Sequence, residues 1–114
     1  RKNEDGKFVW PGFGDNARVL KWIAARIDGE AEAVDTPVGR VPTREALDLS
    51  GLDLSDADLS TLLDVDADVW AEEAALIPAF YGKFADRLPQ ALWTQHAALT
   101  ARVEEARAAA IAAE

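Results

Sequence analysis

Two apolar stripes at helical spacing constrain this chain more than any other feature in it. Trp70, Ala74, Ile77, Tyr81, Phe84 and Leu88 advance in steps of four and three, and Leu92, His96, Leu99, Val103, Ala106 and Ala110 repeat the pattern. Such steps hold side chains on one face of an α-helix. Pro89, suited to a first helical position, leaves only a short connection between the two stripes, so they predict an antiparallel helical pair. Pro78 and Gly82 interrupt the first stripe. A proline lacks the backbone donor and crowds the preceding turn, which predicts a kink or break near residues 74–78. Residues 108–114 are expected to fray.

The remaining segments read as shorter elements. Ser55 with Asp58 resembles a capping box for a helix over 56–63, Asp66 can cap the next helix, and Thr43 can cap a turn through Leu47. Residues 30–42 place Ala33, Val34, Val38 and Val41 among Pro37, Gly39 and Pro42, which predicts one or two short extended pieces kept at a sheet edge. Phe8-Val9-Trp10 reads as a brief strand running into a glycine-rich loop. A helix over 16–28 should follow, capped by Asp15 or Asn16 and stopped at Gly29. Val19, Leu20, Trp22, Ile23 and Ile27 share one side of it, and Trp10 and Trp22 are expected in the core. The fold class is therefore α+β and mainly helical, with short edge strands and about four helices. Its segments are a loop over 1–16, a helix over 16–28, an extended edge over 30–42 and a helical region over 43–114.

Composition closes off several function classes. The 114 residues suit one small domain, and the absence of cysteine with a single histidine leaves no disulfide framework, thiolate site or imidazole-rich metal site. Twenty-one acids against twelve bases give a net charge of -9, which repels phosphate backbones and anionic membranes, so neither nucleic acid nor membrane is expected as a partner. No apolar run is long enough for a membrane span and no leader pattern is present, which points to a cytoplasmic protein. Much of the charge falls between Arg44 and Lys83, a stretch without a base. No window in it supplies the alternating oxygen ligands, sixth-position glycine and twelfth-position glutamate of a calcium loop, so it reads as a solvated face with helix caps. Asp48-Leu49-Ser50, Asp53-Leu54-Ser55 and Asp58-Leu59-Ser60 recur every five residues, but three copies cannot close one coil of a solenoid.

The dense motif is Phe8-Val9-Trp10-Pro11-Gly12-Phe13-Gly14-Asp15-Asn16-Ala17-Arg18. One reading is a dinucleotide fingerprint: Gly12, Gly14 and Ala17 fit G-x-G-x-x-G/A, and Asp35 follows where a ribose-binding acid could stand. No further alternation of strand and helix is present to build the parallel sheet of such a module. The other reading takes Phe8 and Phe13 as planar surfaces for a purine, with Asn16 offering a donor and an acceptor to its edge. For these two rings, core packing and base stacking stand level on composition. His96, on an apolar stripe, is a packing residue; Tyr81 and Lys83 have no reactive partner, and Arg18 could reach a phosphate or a neighbouring acid.

Lys7-Phe8-Val9-Trp10-Pro11-Gly12-Phe13-Gly14-Asp15-Asn16-Ala17-Arg18-Val19-Leu20-Lys21-Trp22, then Thr36-Pro37-Val38-Gly39-Arg40-Val41-Pro42 and Leu47-Asp48-Leu49-Ser50-Gly51-Leu52, closely resembles the carboxy-terminal end of GTP-dependent phosphoenolpyruvate carboxykinases. The likeness continues through Phe80-Tyr81-Gly82-Lys83-Phe84 and Arg87-Leu88-Pro89 into the last helix. The resemblance implies that phenylalanines matching Phe8 and Phe13 sandwich or flank the guanine of GTP and that the asparagine matching Asn16 hydrogen-bonds it. A further phenylalanine of that pocket would fall before Arg1. It also implies a lyase of gluconeogenesis, a decarboxylase that turns oxaloacetate and GTP into phosphoenolpyruvate, carbon dioxide and GDP. Mn²⁺ would sit at its catalytic site and Mg²⁺ on the nucleotide, in a monomeric enzyme.

No G-x-x-x-x-G-K-S/T phosphate loop and no lysine, histidine and aspartate metal set occurs in these residues. The resemblance thus implies a fragment of the nucleotide-binding domain that lacks catalytic residues and metal ligands, is inactive alone, and has the remainder of the same polypeptide as its partner. Two alternatives stay open at this point: a Rossmann-type dinucleotide module, and a non-enzymatic acidic helical interaction domain.

Overall fold

A computed structural model describes residues 1–113. Four α-helices and one antiparallel two-stranded sheet make up its regular structure: α1 Asn16–Ile27, β1 Ala33–Thr36, β2 Gly39–Pro42, α2 Asp56–Leu63, α3 Ala67–Tyr81 and α4 Gln90–Ala113. Two 3₁₀ segments, Phe13–Asp15 and Gly82–Arg87, lead into α1 and out of α3. The chain divides into two compact units, one of residues 1–36 with 40–64, the other of 37–39 with residues from 65 onward.

In the first unit the caps follow local chemistry. Ser55 Oγ accepts from the Asp58 amide at 3.0 Å, which caps α2, and donates to the Asp58 carboxylate at 2.7 Å; the reciprocal bond of a capping box, from the Ser55 amide, is not among them. Thr43 Oγ1 accepts from the Ala46 amide at 3.2 Å. Gly29, at φ 77°, terminates α1 in the left-handed region open to glycine. The start of α1 departs from expectation: neither Asp15 nor Asn16 caps it with a side chain, because both are engaged elsewhere. No strand forms over Phe8-Val9-Trp10 either. A single antiparallel bridge joins Lys2 and Phe8, and the chain between them folds into a turn in which the Asn3 amide donates to Lys7 O at 2.9 Å. A strand requires a continuous partner, and the single bridge to Lys2 does not supply one.

Val9, Leu47 and Leu59 are the buried core of this unit. Trp10 and Trp22, expected inside, are half-exposed, each with its indole N–H bonded: Trp10 to Asn16 at 2.9 Å, Trp22 to the carbonyl of Glu32 at 3.0 Å. No residue of α1 is buried, and Leu20 and Ile27 of its apolar side are largely open. The five-residue repeat breaks up as expected of a non-solenoid. Asp48 forms an Asx turn with Ser50, Asp53 precedes the α2 cap, and Asp58 to Ser60 lie inside α2.

The second unit is the antiparallel pair of α3 and α4. Asp66 caps α3 through Oδ1, which accepts from the amides of Asp68 at 2.9 Å and Val69 at 3.2 Å. Ala74 and Val103 are its buried core, and Tyr81 meets Trp93 edge to face with centroids 5.1 Å apart. Of the kink or break expected near residues 74–78, a break is absent, since α3 runs continuously through Pro78. The helix ends at Tyr81 rather than carrying on to Leu88. The turn comes at Ala85, whose φ of 50° is incompatible with a helix. Pro78 is tolerated because Nε2 of His96 lies 2.8 Å from the carbonyl of Ala74, the group whose helical partner the proline removes. A carbonyl can only accept, so Nε2 carries the proton. The end of α4, expected to fray, is helical through Ala113, and Glu114 lies outside the described residues.

Candidate functional site

The aromatic loop is set by two consecutive left-handed residues. Gly12 has φ 74°, and Phe13 follows at φ 46°, a conformation that a residue with a Cβ adopts at some cost in strain. The Asp15 amide closes the turn on the carbonyl of Gly12 at 3.1 Å, and α1 begins at the next residue. The consequence is a projecting ring: Phe13 is 99% exposed. Phe8 is 75% exposed, with Lys2 Nζ 4.9 Å from its ring centroid, a cation–π contact that occupies part of one face. Among the described residues neither ring stacks on another aromatic, so both retain free surface. Neither ring belongs to the core of the described residues.

Asn16, the third residue singled out, opens α1 one turn past the Phe13 ring. Its Oδ1 accepts from the indole of Trp10 at 2.9 Å, and its NH₂ group has no protein partner among the described residues. The Trp10 and Asn16 pair also walls a mainly apolar cleft of about 330 Å³ to which Val19, Leu47 and Leu62 contribute.

Sequence reasoning left Arg18 without a role, and the structure gives it one. Its side chain is mostly covered; Nε donates to Asp15 Oδ1 at 3.0 Å and a terminal nitrogen donates to the carbonyl of Asp48 at 2.9 Å. Arg18 thereby ties the turn that carries Phe13 to the segment at Asp48, thirty residues away. No local signal could have named that partner. Asp48 is in turn bonded by Lys21 Nζ at 2.8 Å and by the hydroxyl and amide of Ser50. The Lys21 hydrogen bond first, and those from Ser50 next, hold its carboxyl well below the usual aspartate range. A lowered carboxylate pKa means that this network stabilises the fold above the ordinary aspartate value and loses that contribution as pH falls through the lowered one. Lys21→Gln should therefore shift the Asp48 carboxyl midpoint upward in an NMR titration; an unmoved midpoint would show that Lys21 is not its main partner.

Other features carry less. Asp35, the acid of the dinucleotide reading, is paired with Arg40 Nε at 3.0 Å, and the sheet among the described residues is a β-hairpin rather than a parallel layer. A cavity of about 610 Å³ in the second unit lies between Asp66–Asp68 and Ala106–Ile111. It holds no aromatic ring and contains the Arg107 to Asp68 ion pair at 2.7 Å, so it offers nothing to stack a base. The acidic run is partly neutralised by bases from outside it: Arg44 on Asp56, Lys21 on Asp48 and Arg107 on Asp68. Among the described residues no three His, Cys, Asp or Glu side chains converge as a metal site would require, and no helix is long and apolar enough to cross a membrane.

Residues 1–102 match the model of the family described as phosphoenolpyruvate carboxykinase C-terminal P-loop domain. Three curated relatives carry the name phosphoenolpyruvate carboxykinase (GTP). That of Renibacterium salmoninarum is 55% identical over 92 residues, covering 81% of this chain. That of an Arthrobacter species is 50% identical over 105 residues and that of Neocallimastix frontalis 43% over 106, each covering 92% of the chain. The chain spans 15% to 17% of the length of these relatives.

Proposed function

The chain belongs to the family of GTP-dependent phosphoenolpyruvate carboxykinases, and on that premise we propose that it is the base-holding part of the GTP site. The whole enzyme would convert oxaloacetate and GTP into phosphoenolpyruvate, carbon dioxide and GDP, the decarboxylation and phosphorylation step of gluconeogenesis, as a monomer in the cytoplasm. The chain would form the carboxy-terminal portion of its nucleotide-binding domain. The observation that carries this reading is the Phe13 ring, held in full exposure by a turn that is itself anchored through Arg18. A large apolar ring displayed on a fixed turn does nothing for the core, but it presents a face on which a base can stack.

Phe8 supplies a second open ring and Asn16 a polar group for the base edge. Stacking is tolerant of sequence, worth about 1–3 kcal/mol per base, so preference for guanine must come from Asn16 and from backbone groups. Among the described residues no cluster of His, Cys, Asp or Glu fits Mn²⁺ or Mg²⁺. Those ions, the phosphate contacts and the oxaloacetate contacts would be held by the remainder of the same polypeptide, which would also cover the open apolar side of α1. Neither alternative finds support: Asp35 is engaged by Arg40, and the relatives are named as carboxykinases. Titrating the complete protein with GTP, ATP and NAD tests the reading. Tighter binding of GTP than of the other two is expected, and equal affinity for all three, or preference for NAD, would overturn it.

A further inference from the structure

The bond between Trp10 and Asn16 bears on which base the loop accepts. An indole N–H can only donate, so the Asn16 atom 2.9 Å from Trp10 Nε1 must be the carbonyl oxygen. Turning the amide over would set two donors against each other. The remaining end of the amide, the NH₂, is exposed and has no protein partner among the described residues. Whatever base edge meets it must therefore accept. Guanine and adenine both present N7 as an acceptor, so the discrimination lies at the 6-position, where guanine accepts through O6 and adenine carries an amino donor. A donor facing a donor leaves both groups unpaired, which rejects a ligand far more strongly than a missing apolar contact does.

We propose that Trp10 is a positioning residue for base selectivity: by engaging the carbonyl of Asn16 it turns the amide so that the site admits 6-oxopurines and rejects 6-aminopurines. This rests on the reading of the aromatic loop as a base site. Trp10 makes no contact with the base in this account; it acts through Asn16. Without its N–H, the Asn16 amide is free to rotate and can offer its oxygen to the amino group of adenine.

The test uses the complete enzyme with GTP, ITP and ATP. Trp10→Phe removes the donor, and the sulfur isostere of tryptophan, benzothienylalanine, removes it while keeping the shape of the ring. With either change the GTP to ATP ratio of kcat/KM should fall by about tenfold, mainly through KM for ATP and GTP. The GTP to ITP ratio should hold, because hypoxanthine keeps O6 and N7. An unchanged GTP to ATP ratio in the isostere enzyme would overturn the proposal, and so would an equal loss for all three nucleotides, which marks a structural role only. Phe13→Ala and Asn16→Ala separate the two levels. If both leave GTP binding intact, the base-site reading itself fails and the proposal with it. If both weaken GTP while the Trp10 variants keep the parent ratio, the assignment of Trp10 alone fails.

Discussion

Phe13→Ala in the complete enzyme should weaken GTP by roughly 5- to 150-fold, the loss expected when a stacking ring worth about 1–3 kcal/mol is removed. The ring is 99% exposed and touches no other aromatic among the described residues, so its removal takes nothing from their packing. Stability should change by no more than about 0.5 kcal/mol, as for a surface substitution away from special contacts. The loss should appear as a raised KM with kcat largely kept. A base bound far from the transferred phosphate contributes equally to ground and transition states. Parent KM for GTP in this variant would remove the main support for the base-site reading. A fall in thermal stability matching the loss of binding would point instead to a ring that packs.

His96→Ala should destabilise the α3 and α4 pair by about 1–3 kcal/mol, the cost of leaving a buried carbonyl without a partner. With the imidazole in place Ala74 is 2% exposed, and its carbonyl has Nε2 of His96 at 2.8 Å. Pro78, whose missing N–H creates the need for that partner, permits a sharper test. In a Pro78→Ala background the backbone can again donate to Ala74, and the cost of His96→Ala should shrink by about 1 kcal/mol or more. Hydrogen exchange of the α3 and α4 amides follows this unit separately from the first. Equal costs in the two backgrounds would show that His96 matters only as packing volume.

The same pair of residues shows where reading the sequence stops. His96 lies on the apolar stripe of the last helix, as its spacing predicts, but its hydrogen bond depends on a carbonyl 22 residues away. A signal did exist: the residue four before a helical proline always loses its donor, and His96 stands on the facing stripe. The end of α3 was misplaced for a related reason. Phe84 and Leu88 keep the helical period, and periodicity reports side-chain spacing while saying nothing of the backbone, which leaves α3 after Tyr81 for a 3₁₀ segment and turns at Ala85. The brief strand over Phe8-Val9-Trp10 failed because a strand is defined by its partner, and only one bridge to Lys2 is made. Hydrophobicity alone predicts Trp10 and Trp22 in the core, but each carries a donor that has its partner near the surface.

By itself the sequence determined whatever depends on neighbours within a few residues. It set the caps at Ser55 and Asp66, the stop at Gly29, the helical pair and the identity of the aromatic loop, because capping and amphipathic periodicity act over one or two turns of chain. Only the tertiary structure decided how that loop is held and what it presents. It exposes the Phe13 ring, ties its turn to Asp48 through Arg18, and commits the oxygen of Asn16 to Trp10. Those outcomes rest on distances and donor directions between groups whose separation along the chain does not reveal their separation in space. Hydrogen bonding depends steeply on both distance and direction, so residue types alone could nominate Asn16 for the base edge without saying which end of its amide would face it.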